Sequence, residues 1–386
     1  MIRVLTATTE CIDDPDAAVG DIKRQLDCEH KLLQNSVGII SCHYEFALTG
    51  AAGCIGKALP FDTLGAITGT HGSAKGADQL QFTVMVLTSD DVRFTTALSP
   101  SLKGDCARKI EDTYTQNADK AERPGLILVY APFMLENSGD AYVNELSRVS
   151  GGVPCFGTIA IDDTADFRYC FSLFNGEHYP DRMPLLFIYG DIRPRFFLAT
   201  ISQAKLVKDE VLITSSEGHV LKEVNGRPIV EYFEKMGLTK ASETSYAMAS
   251  LAFMLDYGDG TPLVARVFVS LNENKYAVCA GAMPEGAKMY MGIFDRQDVL
   301  DTTGQTIREA VGGAGQASGM LIYSCISRSM TLGADQLAEV ELVSTAAGGK
   351  IPFLMAYSGG EICPTQVNAG TAVNRFHNDT CIICIF

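Results

Sequence analysis

Short apolar runs recur along this chain, separated by glycine-rich or polar turns. Val37–Tyr44, Thr63–Thr70, Leu80–Leu87, Gly125–Tyr130, Val153–Phe156, Pro184–Tyr189, Gly319–Tyr323, Ile351–Leu354 and Thr380–Phe386 all read as buried strands. Arg93–Leu98 reads as the hairpin partner of Leu80–Leu87. Between these runs the period changes. Ala18, Ile22 and Leu26 recur at fours behind Pro15, which predicts a helix over Asp14–Cys28. Asp105–Ala118, Asp140–Val149, Ile229–Met236, Val299–Val311 and Asp335–Thr345 read the same way, and Thr49–Ala58 is a small-residue turn or helix. Tyr142, Val143 and Leu146 share one face of Asp140–Val149.

The order of elements repeats. The strand at Gly125, the helix at Asp140, the strand at Val153 and the strand at Pro184 match the strand at Gly319, the helix at Asp335, the strand at Ile351 and the strand at Thr380. Val37–Leu87 is a looser copy, and Pro262–Phe294 reads as a further fragment. The expected fold is therefore α/β (α+β), with two related domains. Each would be a mixed or antiparallel sheet packed with helices, built from strand–helix–strand–strand units. The punctuation at Asn225-Gly226-Arg227-Pro228 puts the joint near Ser215–Leu238, giving domains 1–214 and 215–386.

Composition narrows the function. The chain has 386 residues, more than one core usually supports, and its 47% apolar and 20% charged shares are those of a globular protein. A net charge of −15 disfavours nucleic acid and anionic membrane surfaces. The N-terminus lacks the apolar core of a signal peptide, and no run approaches the roughly eighteen apolar residues of a membrane span. The expected location is the cytoplasm, with the twelve cysteines reduced and mostly buried as small hydrophobes. Cys381 and Cys384 show the CxxC spacing of metal and redox motifs, but on a strand they face opposite ways, so packing is the better reading.

Candidate chemistry concentrates in the last seventy or so residues, where polar groups interrupt buried strands. Glu361 follows Gly359-Gly360, whose missing side chains allow close backbone approach. It reads either as a carboxylate for an ammonium group or as a solvated turn residue. His377, Asn378 and Thr380 either contact a ligand or cap the turn before the last strand. Arg328 either clamps a carboxylate or pairs with Glu361, and Tyr357 offers an apolar wall with a polar tip. Arg266, in a β-rich run, reads most simply as an exposed-face residue. The six histidines show no zinc spacing. Gly69-Thr70-His71-Gly72 and Gly312-Gly313-Ala314-Gly315 lack the strand–loop–helix context of phosphate loops, and no catalytic motif is present. Cys325 with His377 is the one nucleophile–base pair that folding could assemble.

Several segments in order carry a resemblance. They are Val224–Ile229 with the short helix after it, Leu263–Arg266, Met283–Met289, Ser324–Arg328, Tyr357–Ile362 and Phe376–Thr380. Through them the C-terminal half resembles the FIST sensory proteins. The N-terminal half does so through Leu64–Gly72 and the Gly125 unit, and departs from that family's Ser-Thr-containing glycine turn. The resemblance implies a non-catalytic, cytosolic sensor of a small ligand, with an amino acid or similar polar metabolite as its class. The expected ligand-binding set is Cys325, Arg328, Tyr357, Gly360, Glu361, His377, Asn378 and Thr380, with no metal. These 386 residues are expected to carry no kinase-like segment, so the expected partner is a separate signalling protein such as a histidine kinase or cyclic-dinucleotide enzyme. Some relatives bind haem and sense nitric oxide. A haem here would take His377 first, or His43, as axial ligand.

Overall fold

The computed structural model describes residues 1–134, 136–164, 166–207, 209–238, 251–313 and 317–386. Their strands form four sheets, and three of these share one plan. A unit runs through an edge strand, a helix, a central strand, a helical crossover, a strand parallel to the central one, a hairpin and a closing strand. In the first unit these are Arg3–Thr9, Pro15–Leu26, Asn35–Cys42, Glu45–Leu48 with Ala51–Ala58, Thr63–Ile67, Gly69–Ser73 with Gly76–Asp78, and Phe82–Ser89. In the second they are Arg93–Leu98, Cys106–Asn117, Leu126–Ala131, Gly139–Ser150, Cys155–Ile159, Ser172–Phe174 with Glu177–Tyr179, and Pro184–Tyr189. In the third they are Arg195–Ala199, Arg296–Gly312, Met320–Cys325, Ile326–Leu332 with Ala338–Ala347, Phe353–Ser358, Glu361–Asn368 with Thr371–His377, and Cys381–Ile385.

The repeat seen in the sequence thus has three members, and Val37–Leu87 is a full one. Register confirms it: Ile40 pairs with Gly65, Val129 with Gly157, and Ile322 with Met355, all in parallel. A Cβ on Gly65 or Gly157 would lie 1.8 or 1.9 Å from the carbonyl oxygen of Ile40 or Val129, so both positions require glycine.

The hairpins are exchanged. That of the first unit adds to Phe353–Ser358 of the third, that of the second to Thr63–Ile67 of the first, and that of the third to Cys155–Ile159 of the second. No unit completes its own sheet. Arg93–Leu98 is not the partner of the strand before it; it pairs with Pro184–Tyr189 and opens the second unit. The turn between them explains why. Asp91 and Val92 give their N–H groups to Ser89 Oγ, which carries the chain out of one sheet and into the next. Phe82–Ser89 pairs instead with Arg3–Thr9, a strand that the apolar pattern did not reveal.

Both faces of these sheets are covered, which is why their strands read as continuous apolar runs. Ile39, Leu128, Tyr130, Leu321, Tyr323 and Leu354 form an inner core common to all three units. Alternate residues face outward to the helices, such as Ile40 with Ile22, Val129 with Leu146, and Ile322 with Val343. At the centre Tyr130 and Tyr323 cross edge to face, their hydroxyls 3.4 Å apart. Cys381 lies in the outer core and Cys384 in the inner one, as the strand period requires.

The fourth sheet interrupts the third unit between Arg195–Ala199 and Arg296–Gly312. It is antiparallel and closes on itself, because Val211–Glu217 pairs with both Lys288–Ile293 and Val220–Val224. Ile213, Phe233, Phe253, Phe268 and Met289 fill it. Pro262–Phe294 belongs to this sheet and is not a further copy of the repeat. Position 214/215 lies within its first strand, while the strand just before, Arg195–Ala199, pairs with the last strand of the chain.

Candidate ligand site

The turns at one end of the third unit gather the residues that sequence singled out. Glu361 opens the exchanged hairpin and stands directly opposite His377 in its register. Both are fully buried. Ser358 Oγ donates to Glu361 Oε1 at 2.8 Å, and Thr380 Oγ1 donates to Oε2 at 2.7 Å. Burial pushes the Glu361 carboxyl well above the usual carboxylate range, against the pull of these two hydroxyls. The preceding Gly360 has φ +146°, and a Cβ there would lie 2.4 Å from the Phe376 ring. That backbone conformation and that close approach both call for glycine.

Three consecutive buried residues, His377, Asn378 and Asp379, each hold a polar atom without a hydrogen-bond partner among the described residues. These atoms are Nδ1, Oδ1 and Oδ2. His377 Nε2 contacts the Cys363 carbonyl at 3.2 Å. Burial, then the charge of Arg266, pushes the imidazole down to about 3, so it is neutral at physiological pH. Asp379, at φ +51°, accepts from Ser327 Oγ, and burial raises its carboxyl to about 7. Cys325 is buried beside these acids. Burial, then Glu361 and Asp379, raises its thiol well above the ordinary value.

Arg328 and Tyr357 belong to a separate network on the helix side. Arg328 does not pair with Glu361. Its Nη2 binds Glu339 Oε1 at 2.9 Å and Thr303 Oγ1 at 2.7 Å, and Ser324 Oγ donates to Glu339 Oε2 at 2.7 Å. Glu339 sits on Ala338–Ala347, one crossover helix beyond Arg328, and no local pattern advertised it. The Tyr357 hydroxyl donates to the Gln336 carbonyl at 3.3 Å. A single long bond from Arg328 Nη1 to the Asp379 carbonyl, 3.4 Å, joins the two groups.

Beside the Gly359-Gly360 turn is a cavity of about 170 Å³, lined by Phe133, Ser138, Ile159, Val278, Gly359 and Phe376, among others. Its walls come from the second unit, the exchanged hairpin and the fourth sheet. Arg266 ties these together from a fully buried position, which overturns the exposed reading. Its Nη2 binds Asp140 Oδ1 at 2.7 Å, Nη1 the Phe376 carbonyl at 2.8 Å, and Nε the Ala282 carbonyl at 3.1 Å. The misreading arose because Asp140 lies 126 residues away in sequence.

Two chemical alternatives do not fit this geometry. A thiol raised by burial and two nearby carboxylates is a poor nucleophile, and no hydrogen bond joins His377 to Cys325 among the described residues. The same enclosure gives a porphyrin iron no approach to His377. His43 is also buried, with Nε2 3.3 Å from Asp163 Oδ1.

The fold is an α/β assembly of three interlocked units plus an inserted antiparallel sheet. The small cavity is lined by none of the eight expected ligand-binding residues, because Phe376, opposite Ile362, faces it while Glu361 and His377 alternate to the other face of the hairpin. The chain belongs to the FIST family: the FIST N domain matches residues 36–227 and the FIST C domain residues 230–364. FIST domains are associated with sensory signalling and small-ligand binding, a regulatory family. No curated protein matches the chain. Among solved structures, cyanuric acid hydrolase from A. caulinodans is 9% identical over 100% of this chain and 98% of that one, with a TM-score of 0.38. PurL from T. maritima in complex with AMPPCP is 10% identical over 100% of this chain and 72% of that one, with a TM-score of 0.20. Superpositions this loose carry no argument about fold or chemistry. No helix among the described residues is long and apolar enough to cross a membrane.

Proposed function

We propose that the protein is a cytoplasmic sensor that binds a small polar metabolite, an amino acid or a close analogue, at the Gly359-Gly360 turn. The reading is carried by the three unpaired polar atoms of His377, Asn378 and Asp379. Leaving such an atom buried costs about 1–3 kcal/mol, so three in sequence call for partners, which a polar ligand or the water it displaces supplies. A cavity lined by Gly359 and Phe376 flanks the turn; at about 170 Å³ it is below the roughly 300–1,000 Å³ of pockets for drug-sized molecules, and none of the three residues lines it. Glu361 and Thr380 supply further polar groups behind the turn.

Binding transmits a signal only through differential affinity for two conformations. Arg266 offers the route, because it holds the fourth sheet, the helix Gly139–Ser150 and the strand carrying Phe376 and His377 in one arrangement. A ligand that moves Phe376 alters that arrangement, and a separate protein such as a histidine kinase or cyclic-dinucleotide enzyme reads it.

The test is mass spectrometry of the protein under native conditions after mild purification, with a thermal-shift screen of amino acids and related metabolites. The expected result is a retained or stabilising small ligand whose effect is lost in Asn378→Leu and reduced in Phe376→Leu. A ligand indifferent to both substitutions, or none in either assay, overturns the proposal.

A further inference from the structure

The register that places Phe376 over the cavity recurs in the first unit. Ile362 pairs with Gly157 and stands opposite Phe376, and Leu173 likewise pairs with Gly65 and stands opposite His178. His178 therefore occupies the Phe376 position. Here too a cleft opens between the crossover helix Ala51–Ala58 and the exchanged hairpin, with a volume of about 240 Å³. In the third unit the corresponding pair is Gly72 opposite Ala77. There a Cβ on Gly72 would lie 2.0 Å from Val340 Cγ1, so the helix Ala338–Ala347 fills the space. Two of the three related clefts stay open.

The open cleft of the first unit has an unpaired polar group of its own. Thr63 is fully buried, lines the cleft, and its Oγ1 has no hydrogen-bond partner among the described residues. Its Cγ2 faces Gly38, and its hydroxyl faces Gly56 on the helix side, where the cleft lies. At the mouth, Lys57 Nζ and Glu177 Oε1 are 2.7 Å apart, with side chains 63% and 58% exposed. Such an exposed pair contributes only about 0–1 kcal/mol, so exchanging its partners costs little. An anion alone pairs with Lys57 and leaves Glu177 to water, and a cation alone pairs with Glu177 and leaves Lys57 to water. A molecule with neighbouring ammonium and carboxylate groups satisfies both.

We propose that this cleft is a second small-ligand site, in the N-terminal half. Its occupant is a compact zwitterion whose carboxylate meets Lys57, whose ammonium meets Glu177, and whose body lies on Ile40 and Leu173 with its tip at Thr63. The proposal stands independently of the site at Gly359.

L-threonine and L-valine are the probes, with 3-hydroxybutyrate and 1-amino-2-propanol as analogues that keep one charge each. Binding is read by calorimetry and by chemical-shift changes in protein labelled at Leu and His. At least one zwitterion is expected to bind and to shift Leu173 and His178, with both single-charge analogues at least tenfold weaker. Lys57→Met and Glu177→Gln, both surface changes that leave the fold intact, are each expected to weaken binding at least tenfold. Phe376→Leu leaves it unchanged. Failure of both zwitterions to bind overturns the proposal, as does equal binding of a single-charge analogue. Binding that Phe376→Leu abolishes and Lys57→Met spares belongs to the other cavity; it overturns this site and leaves the proposed sensor function standing.

Discussion

Arg328 and Glu339 form an ion pair that is all but sealed from water, with Arg328 Nη2 2.9 Å from Glu339 Oε1 and side chains 1% and 0% exposed. Thr303, Ser324 and the Val299 carbonyl complete its hydrogen bonding. The pair links Ile326–Leu332 to Ala338–Ala347 and to Arg296–Gly312, so it serves as a clasp among the outer helices of the third unit.

Breaking that clasp on one side strands a charge. Glu339→Ala is expected to destabilise the protein by about 3–5 kcal/mol in urea unfolding. Replacing both partners, Arg328→Met with Glu339→Leu, is expected to recover most of the loss, because no buried charge remains. A double variant as unstable as Glu339→Ala would show that the hydrogen bonds to Thr303 and Ser324, not charge compensation, hold the helices.

Phe376 is wedged between two glycines. A Cβ on Gly139 would lie 2.4 Å from its Cδ2, and one on Gly360 2.4 Å from its Cε2. Gly139→Ala is expected to cost about 1–3 kcal/mol through overpacking, and Phe376→Leu in the same chain should relieve it. Gly360→Ala also meets a backbone strain of about 1–3 kcal/mol at φ +146°, which Phe376→Leu cannot relieve. Equilibrium unfolding of the two single and two double variants checks this. Equal rescue at both positions would remove the backbone argument.

The sequence made the repeat legible where both crossovers are regular, at Gly125 and Gly319, because buried strands and an amphipathic helix leave a readable period. It hid the exchange of hairpins. Ser172–Phe174 and Gly69–Ser73 are short strands whose partners are set by the threefold arrangement, not by their neighbours in the chain. Candidate site residues beside the Gly-Gly turn stood out because a polar group in an apolar run is conspicuous. Glu339 and Asp140 did not, since each lies on an amphipathic helix where an acid is ordinary and burial is decided by a distant arginine. Asp379, between Asn378 and Thr380, carries no signal of its own in the sequence, yet its side chain is fully enclosed.

Stability should peak in mildly acidic solution. His71 and His377 have their folded values pushed down to about 3 by burial, so the unfolded chain takes up their protons first, and their contribution is lost as pH falls below about 6.5. Asp379, raised to about 7, and Glu361, raised in the same direction, behave oppositely. Their contribution is complete below about 4 and is lost as pH rises through their folded values. Between about 4.5 and 6.5 the two histidines and two acids nearly cancel. Urea unfolding is expected to show a plateau there, with a fall on each side. Asp379→Asn should tilt the plateau, with stability then rising between about 4.5 and 6.5, and His377→Gln should flatten the acidic fall. If Asp379→Asn leaves the plateau level, the enclosure of that carboxyl is wrong.

The cysteines give the most direct check of the layered core. All twelve are free thiols, and nine are buried. Only Cys54 is exposed, on the helix that walls the first-unit cleft, while Cys11 and Cys28 are half-buried. Cys11 Sγ is 3.4 Å from Asp21 Oδ2, to which it donates, and burial raises the Cys28 thiol, so both should react more slowly than Cys54. An aromatic disulfide reagent is expected to titrate one thiol quickly, two more slowly, and nine only at the rate of unfolding. Cys54→Ser should remove the fast phase alone. Rapid reaction of Cys325, Cys363 or Cys381 in the folded protein would mean that the turns around Glu361 open readily to solvent, and the buried polar cluster would then be a hydrated groove instead of a closed one.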